Sequence, residues 1–242
     1  MSRPADGQQE PKDTWFDCAC GHRHWGAYGA AGLLVMQSGR VLLQLRSRES
    51  HHPNTWALPG GARHQGEAPL ATALRESREE TGLNASNVTP RWWLIADHRG
   101  WTYTTIGAEA HGEALDGPSN WETDALSWVV PDEVPHYDLH PGLAAAWPRL
   151  SKLIGQRFAL VVDAANVVGS SPDGWWKDRA GAAARLRDRL EPLGLHGLAN
   201  LDGDTPNGWF PQVVLVVEGQ ARGIDQPGTV EVIDSPGEGD DQ

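Results

Sequence analysis

Glu76, Glu79 and Glu80 stand at i, i+3 and i+4 of an alanine- and leucine-rich segment that should be helical. At that spacing three carboxylates share one helical face. Like charges so close repel unless a cation neutralises them, and oxygen-only donors suit a hard ion such as Mg²⁺ or Mn²⁺. Arg75 lies beside them, and Gly82, a residue suited to a helix C-terminus, stops the segment. Upstream come a glycine pair, Gly60-Gly61, and a polar loop. A metal held on such a face bridges phosphate oxygens, stabilises transition-state charge and lowers the pKa of a bound water, which is what hydrolysis of a phosphoanhydride requires.

The longer pattern is more specific. Gly61, five residues, Glu67, seven residues, Arg75-Glu76, then Glu79-Glu80, Thr81, Gly82 and Leu83 resembles the Nudix box of the Nudix hydrolases. Ser77 departs from it, because the family usually has an aliphatic residue there, and this weakens packing on the buried side of the helix. The resemblance implies that Glu79 and Glu80 hold metal, that Glu76 is a ligand or orients the water, and that the carbonyl of Gly60 adds a ligand. It makes Arg75 a partner of one of the carboxylates and Glu67 the residue that orders the loop onto the helix. Glu122, six residues before Trp128, is similarly placed to a later-loop glutamate of Nudix enzymes that cleave oxidised deoxynucleotides, with a surface glutamate as the alternative. Arg46 and Arg48 follow a strand that borders substrate in the family, so phosphate contact is expected of them. Trp56, Trp93, Trp101 and Tyr103 could stack on a base or simply fill the core. His51, His52 and His64 are candidate bases or phosphate donors, or exposed loop histidines. Trp56-Ala57-Leu58-Pro59-Gly60-Gly61 resembles versions acting on nucleoside triphosphates, including oxidised ones. Dinucleoside polyphosphates and nucleotide sugars remain open.

Composition bounds the partners. The 242 residues carry 32 acidic against 20 basic side chains, a net charge of −12, which disfavours charge-driven binding to nucleic acid or anionic membrane. A small nucleotide is still admitted, since its phosphates can be carried on a metal. No apolar run reaches membrane-spanning length, and Met1 to Asp13 is a polar leader, expected to be disordered, without a signal-peptide core. Two cysteines cannot build a disulfide framework, so a cytoplasmic setting is expected. Cys18-Ala-Cys20-Gly21-His22-Arg23-His24 invites a zinc reading, but the crowding of four ligand types into seven residues favours a turn with buried cysteines.

The elements that must position these residues follow from periodicity. Strands are predicted at Ala30 to Val35 and Val41 to Leu45, joined by a turn at Gln37 to Arg40, then at Thr55 to Leu58, Trp92 to Ala96, Thr102 to Ala110 and Ala125 to Val130. Helices are predicted in the motif and over Leu143 to Ile154. The fold class is α/β, and the resemblance implies a Nudix α/β/α sandwich with a mixed sheet within residues 15–155, after a leader at 1–14. From 156 to 242 a partial parallel α/β module is expected: a buried strand at Phe158 to Val162, an amphipathic helix over Trp175 to Leu193 presenting Ala180, Ala183, Leu186 and Leu190, and strands at Pro211 to Val217 and Thr229 to Ile233. Asp163, Asn166, Glu218 and the Gly237-Glu238-Gly239-Asp240-Asp241 stretch loosely resemble acidic positions of PIN/NYN-type ribonucleases, in a module that would be truncated at Gln242; an Asp or Asn that merely caps a turn is the alternative. Function is thus expected to be Mg²⁺-dependent (or Mn²⁺-dependent) hydrolysis of a nucleoside diphosphate linked to a further group. A nucleotide-sensing Nudix-fold protein and an RNA-processing protein acting through the C-terminal segment are the rival readings.

Overall fold

In the computed structural model, residues 14–112, 121–170, 174–200 and 206–236 are described. They fall into two compact units, Met1–Gln156 with Gly203–Asn207, and Arg157–Asp202 with Gly208–Gln242.

The first unit starts with a short antiparallel hairpin, β1 (Trp15–Asp17) and β2 (Arg23–Trp25), which the sequence reading had only as a turn. The sheet proper is seeded by β3 (Ala30–Gln37) and β4 (Arg40–Arg46), two apolar runs that are almost entirely buried. Ser38 and Gly39 join them with φ of 50° and 74°, the left-handed pair that a two-residue hairpin turn needs to match strand twist. Next come β5 (Trp56–Ala57) and β6 (Gly60–Ala62), the motif helix α1 (Pro69–Thr81), β7 (Val88–Asp97), β8 (Thr102–Ala110), β9 (Thr123–Val129) and α2 (Pro141–Leu150). Strand order is β7-β8-β3-β4-β5, with β6 also on β3 and β9 also on β4. β3 and β8 run parallel while β3 and β4, β4 and β9, and β7 and β8 are antiparallel, so the sheet is mixed. The predicted last helix ends at Leu150 and tightens into a 3-10 turn over Ser151–Leu153, whose Leu153 carbonyl accepts the indole N–H of fully buried Trp92 (3.1 Å).

Two features of this sheet set up the site. β6, absent from the sequence reading, pairs Gly60 with Gly32 and Gly61 with Ala31, which lays the motif glycines against the N-terminal end of β3. A register shift between Leu45 and Arg46 marks a bulge at the end of β4, a device that re-aims a side chain.

The second unit contains β10 (Ala159–Asp163), α3 (Ala164–Gly169), α4 (Arg179–His196), a small pair β11 (Leu198–Ala199) and β12 (Gly208–Trp209), β13 (Gln212–Val217) and β14 (Glu231–Asp234). β10-β13-β14 is a parallel sheet, with α4 packing Ala183 and Leu186 against Val213, Leu215 and Val217. The expected buried strand at Phe158 to Val162 needs correction. β10 begins one residue later and alternates exposed with half-buried, Val161 being 64% exposed. It is an edge strand with helix cover on one face, so an unbroken apolar run does not translate into burial on both sides.

Candidate active site

Helix α1 is built to hold an acid inside. Pro69 occupies its first position, where a missing N–H costs nothing, and Gly82 ends it in the left-handed conformation (φ 70°), donating to the Arg78 carbonyl. Thr72, Ala73, Ser77, Glu80 and Thr81 form the buried side. Glu80 therefore enters the interior at 2% exposure, whereas the Glu79 side chain is 54% exposed and that of Glu76 13%. The Gly60 N–H donates to Glu80 Oε2 at 2.7 Å. Burial nevertheless pushes the Glu80 carboxyl up to about 8, against the pull of that N–H, and the nearby Glu76 and Glu122 charges act in the same upward direction.

Arg75 organises the opposite flank. Its Nε and Nη2 grip both oxygens of Glu67 at 2.9 Å each, its Nη1 reaches Glu76 Oε1 at 2.6 Å and Glu79 Oε2 at 3.5 Å, and Nη2 donates to the Ala62 carbonyl at 3.2 Å. Glu67 also accepts from the His64 N–H (3.0 Å), so the loop is tied to the helix at two places. The Arg75 hydrogen bonds hold the Glu67 carboxyl down at about 2 and raise the guanidinium pKa in turn. Among the described residues Arg75 pairs with Glu67, Glu76 and Glu79, and Glu80 has no cationic partner. The motif glycines are required by space. A Cβ on Gly61 would sit 2.6 Å from the Glu76 carboxyl carbon, and one on Gly60 would sit 2.5 Å from the Ala31 carbonyl oxygen.

Gly60 and Glu80 border a cleft of about 430 Å³, whose lining does not include Glu76, Glu79, Arg75 or Glu67. Gly60, Glu80 and Glu122 line it together with Arg46, whose Nε donates to the His51 carbonyl at 2.9 Å. His51, His52 and His140 form another part of the lining, and their three ring nitrogens lie within 4.8 Å of one another. Burial, then Arg46 and the other two imidazoles, lower the His140 pKa to about 4, so it is neutral at pH 7; its Nδ1 accepts the Gly142 N–H at the start of α2. Aromatic side chains Trp15, Trp25, Trp101 and Trp121 complete the wall.

Other expected site residues lie elsewhere. Arg48 is exposed and outside the cleft lining. Trp56 packs edge-to-face on Tyr137 (5.3 Å), with its backbone bonded to Asp138 and His140. Tyr103 is half-buried with its hydroxyl over Gly32, which has no room for a side chain, and burial raises its phenol pKa. Trp93 is half-buried on β7 with its carbonyl taken by the Asn207 N–H (3.0 Å), and His64 faces the Glu67 loop. Three cleft features escaped the sequence reading: His140, Trp121 and the tryptophans of the β1–β2 hairpin. Gln44, fully buried in an apolar strand and bonded to Thr123 (3.1 Å), also went unremarked, although a lone polar residue in such a run is a visible signal.

Comparison with known proteins gives the family. The NUDIX domain profile matches residues 27–150. A Mycobacterium tuberculosis protein named as an 8-oxo-dGTP diphosphatase is 46% identical over 149 residues, covering 57% of this chain and 68% of that protein. A nucleoside triphosphate pyrophosphatase/Nudix hydrolase fusion protein of Bifidobacterium longum is 37% identical over 157 residues, covering 61% of this chain and 33% of its own length. The crystal structure of a Nudix hydrolase from M. smegmatis, RenU, superposes with a TM-score of 0.54 at 42% identity, over 59% of this chain and 94% of that one. The chain belongs to the NUDIX family. It is a hydrolase of phosphoanhydride bonds in nucleotides, of a family that works with divalent metal.

The donor set fits such a metal. Glu80 is a buried oxygen donor with a raised pKa and, among the described residues, no cationic partner, and Glu76 and Glu79 offer further carboxylate oxygens from the same helix. No described helix is long and apolar enough to cross a membrane.

Proposed function

We propose that this chain is a cytoplasmic nucleoside triphosphate pyrophosphohydrolase, with an oxidised deoxyguanosine triphosphate as its first candidate substrate. The buried, cation-seeking Glu80 beneath Gly60 carries the reading, and the name of the M. tuberculosis relative supports the substrate. Glu76, Glu79 and Glu80, with the Gly60 carbonyl and Glu122, would hold Mg²⁺, or Mn²⁺ in its place. Bound there, the metal supplies charge stabilisation on the phosphates and a more acidic water.

The chain's own side chains do the rest. Arg75 positions Glu76 and Glu79 and, through Glu67, keeps the loop closed on the helix. Arg46 at the bulge meets phosphate oxygens, and the aromatic wall receives the base. Arg48 has no part in this. Trp56 and Tyr103 act by supporting β5 and β3 from outside the cleft. The hydrolase unit is assigned to residues 15–155.

The test is nucleoside monophosphate and pyrophosphate release from canonical and oxidised triphosphates, ADP-ribose and dinucleoside polyphosphates, with and without Mg²⁺. One oxidised triphosphate turned over well above the rest, only with metal, is the expected result. Preference for a dinucleoside polyphosphate would overturn the substrate, and Mg²⁺-dependent turnover retained by Glu79→Gln/Glu80→Gln would overturn the site.

A further inference from the structure

A second set of metal-type donors lies in the β1–β2 hairpin. Its turn is tight: the Cys18 N–H donates to the His22 carbonyl (3.1 Å), the Gly21 N–H to the Cys18 carbonyl (3.0 Å), and Gly21 has φ 86°. That turn brings both sulfurs to His24 on β2. The Sγ atoms of Cys18 and Cys20 and a ring nitrogen of His24 lie within 4.8 Å of one another, and Cys20 Sγ is 3.2 Å from His24 Nε2. The Cys20 N–H points at Cys18 Sγ (3.5 Å). His24 is held by a parallel stack on Trp101 (4.4 Å, 11°), which is itself anchored through its indole N–H to the Gly26 carbonyl (2.8 Å). The His98 ring stands 4.5 Å from that of His24, and the His98 carbonyl accepts from Cys18.

Zinc bonds of about 2.3 Å to sulfur and about 2.0–2.1 Å to nitrogen place tetrahedral ligands about 3.5–3.8 Å apart, so the trio, with its donor atoms within 4.8 Å of one another, closes on an ion with movements on the order of 1 Å. Packing alone does not account for the cluster. The hairpin has three residues per strand, Trp15 and Trp25 are 37% and 39% exposed, and its buried cluster is Cys18, Ala30 and Trp101 with three half-buried neighbours. A two-stranded piece that small is marginal by itself.

We propose that Cys18, Cys20 and His24 bind one Zn²⁺, which ties the turn of the hairpin to its second strand. Binding releases two thiol protons, one of them the proton that Cys18 gives to the His98 carbonyl, and takes the His24 imidazole as a neutral ligand. The ion is separate from the carboxylate site. It shapes the aromatic side of the cleft, because Trp15, Arg23, His24 and Trp25 all line it.

The test is metal analysis of the full chain purified without chelator under reducing conditions, followed by Co²⁺ titration of the zinc-stripped protein. The expected result is about one zinc per chain, released by a thiol-directed mercurial, and a thiolate-to-cobalt absorption band of tetrahedral type. Cys20→Ser, checked for folding by circular dichroism, should abolish both, and His24→Asn should weaken Co²⁺ binding at least about tenfold. Wild-type protein that carries no zinc and gives no cobalt band overturns the site, whatever the variants do. So does zinc retained in full by Cys20→Ser, or a stable Cys18–Cys20 disulfide seen as a mass lower by two hydrogens under the same reducing conditions. Unchanged Co²⁺ affinity in His24→Asn overturns the site as well.

Discussion

Acidic side chains in the two compact units are treated in opposite ways. In the second unit Asp163 caps α3, accepting the Asn166 N–H at 3.1 Å, and Asp178 caps α4 through the Gly181 N–H at 2.9 Å. Glu191 takes the Thr229 N–H and hydroxyl (2.6 and 2.8 Å) and the Val230 N–H (3.3 Å), bonds that lower its pKa. In the first unit Glu67 is likewise held down by Arg75, but Glu80 is pushed up by burial with Glu76 and Glu122 close by. A carboxylate whose charge the fold satisfies serves the fold. One kept uncomfortable in the interior is held ready for a cation that the chain does not supply. Parallel pairing brings Asp163, Glu218 and Asp234 to one edge of the second sheet, where Asp163 is taken up by its cap and Asp234 accepts the Gly223 N–H (3.2 Å). The Gly237 to Asp241 stretch lies outside the described residues.

The comparison breaks if the two kinds of acid can be exchanged in function. Glu80→Gln should lower Mg²⁺-dependent turnover roughly 10³-fold, whereas Asp163→Asn should leave it unchanged, both read as kcat/KM on one triphosphate. Equal effects would dissolve the distinction. Gly61→Ala should come next, at about 10²-fold, because the new methyl must displace the Glu76 carboxyl while the helix remains intact. Normal activity with unchanged circular dichroism would show that the position of Glu76 is not critical.

A pH series sharpens the same point. A buried acid with a folded pKa near 8 against an unfolded value near 4.5 favours folding fully below pH 4.5 and loses that contribution as pH rises through 8. The Tm of metal-free protein should therefore decline from pH 5 to 8.5 relative to Glu80→Gln. Mg²⁺ should restore more Tm at pH 8.5 than at pH 6, since the ligand must be deprotonated to bind. A Mg²⁺ effect independent of pH would mean that Glu80 is already ionised.

How far the sequence carried this contrast differs between the units. In the first, i, i+3, i+4 spacing and the glycine positions are local facts, so the acidic face, the helix and its Gly82 stop were legible. Which glutamate would be buried was not, because that depends on the angle at which α1 meets β3. His140 and Trp121 reach the cleft through chain reversals far from the motif, and no local spacing encodes them. In the second unit, an apolar run reads alike whether it becomes a central or an edge strand, and β10 became the edge. An Asp at a strand end likewise reads alike as ligand or cap until its neighbours are known.

Smaller effects should stay within one unit. Glu191→Gln keeps the shape but loses the charge that strengthens three hydrogen bonds, so stability should fall by about 1–2 kcal/mol in denaturant titration, with hydrolysis unaffected. A change in kcat/KM would show that the second unit acts on the cleft.

The smallest effect expected should run the other way. Ser77 stands on the buried side of α1, where the family usually has an aliphatic residue. It is fully buried, and its hydroxyl has no hydrogen-bond partner among the described residues. Its carbonyl accepts the Thr81 hydroxyl (2.6 Å), so the backbone of this turn is already satisfied without the Ser77 side chain. An unpartnered buried hydroxyl gives up water and gains nothing, whereas alanine is both smaller and a better helix former. Ser77→Ala should therefore stabilise the first unit by up to about 1 kcal/mol, leave kcat/KM unchanged, and raise Tm in the presence and absence of Mg²⁺ alike. A loss of activity would place the hydroxyl among the groups that set the carboxylate face, and the line between acids that serve the fold and acids that serve the cation would have to be drawn through Ser77 as well.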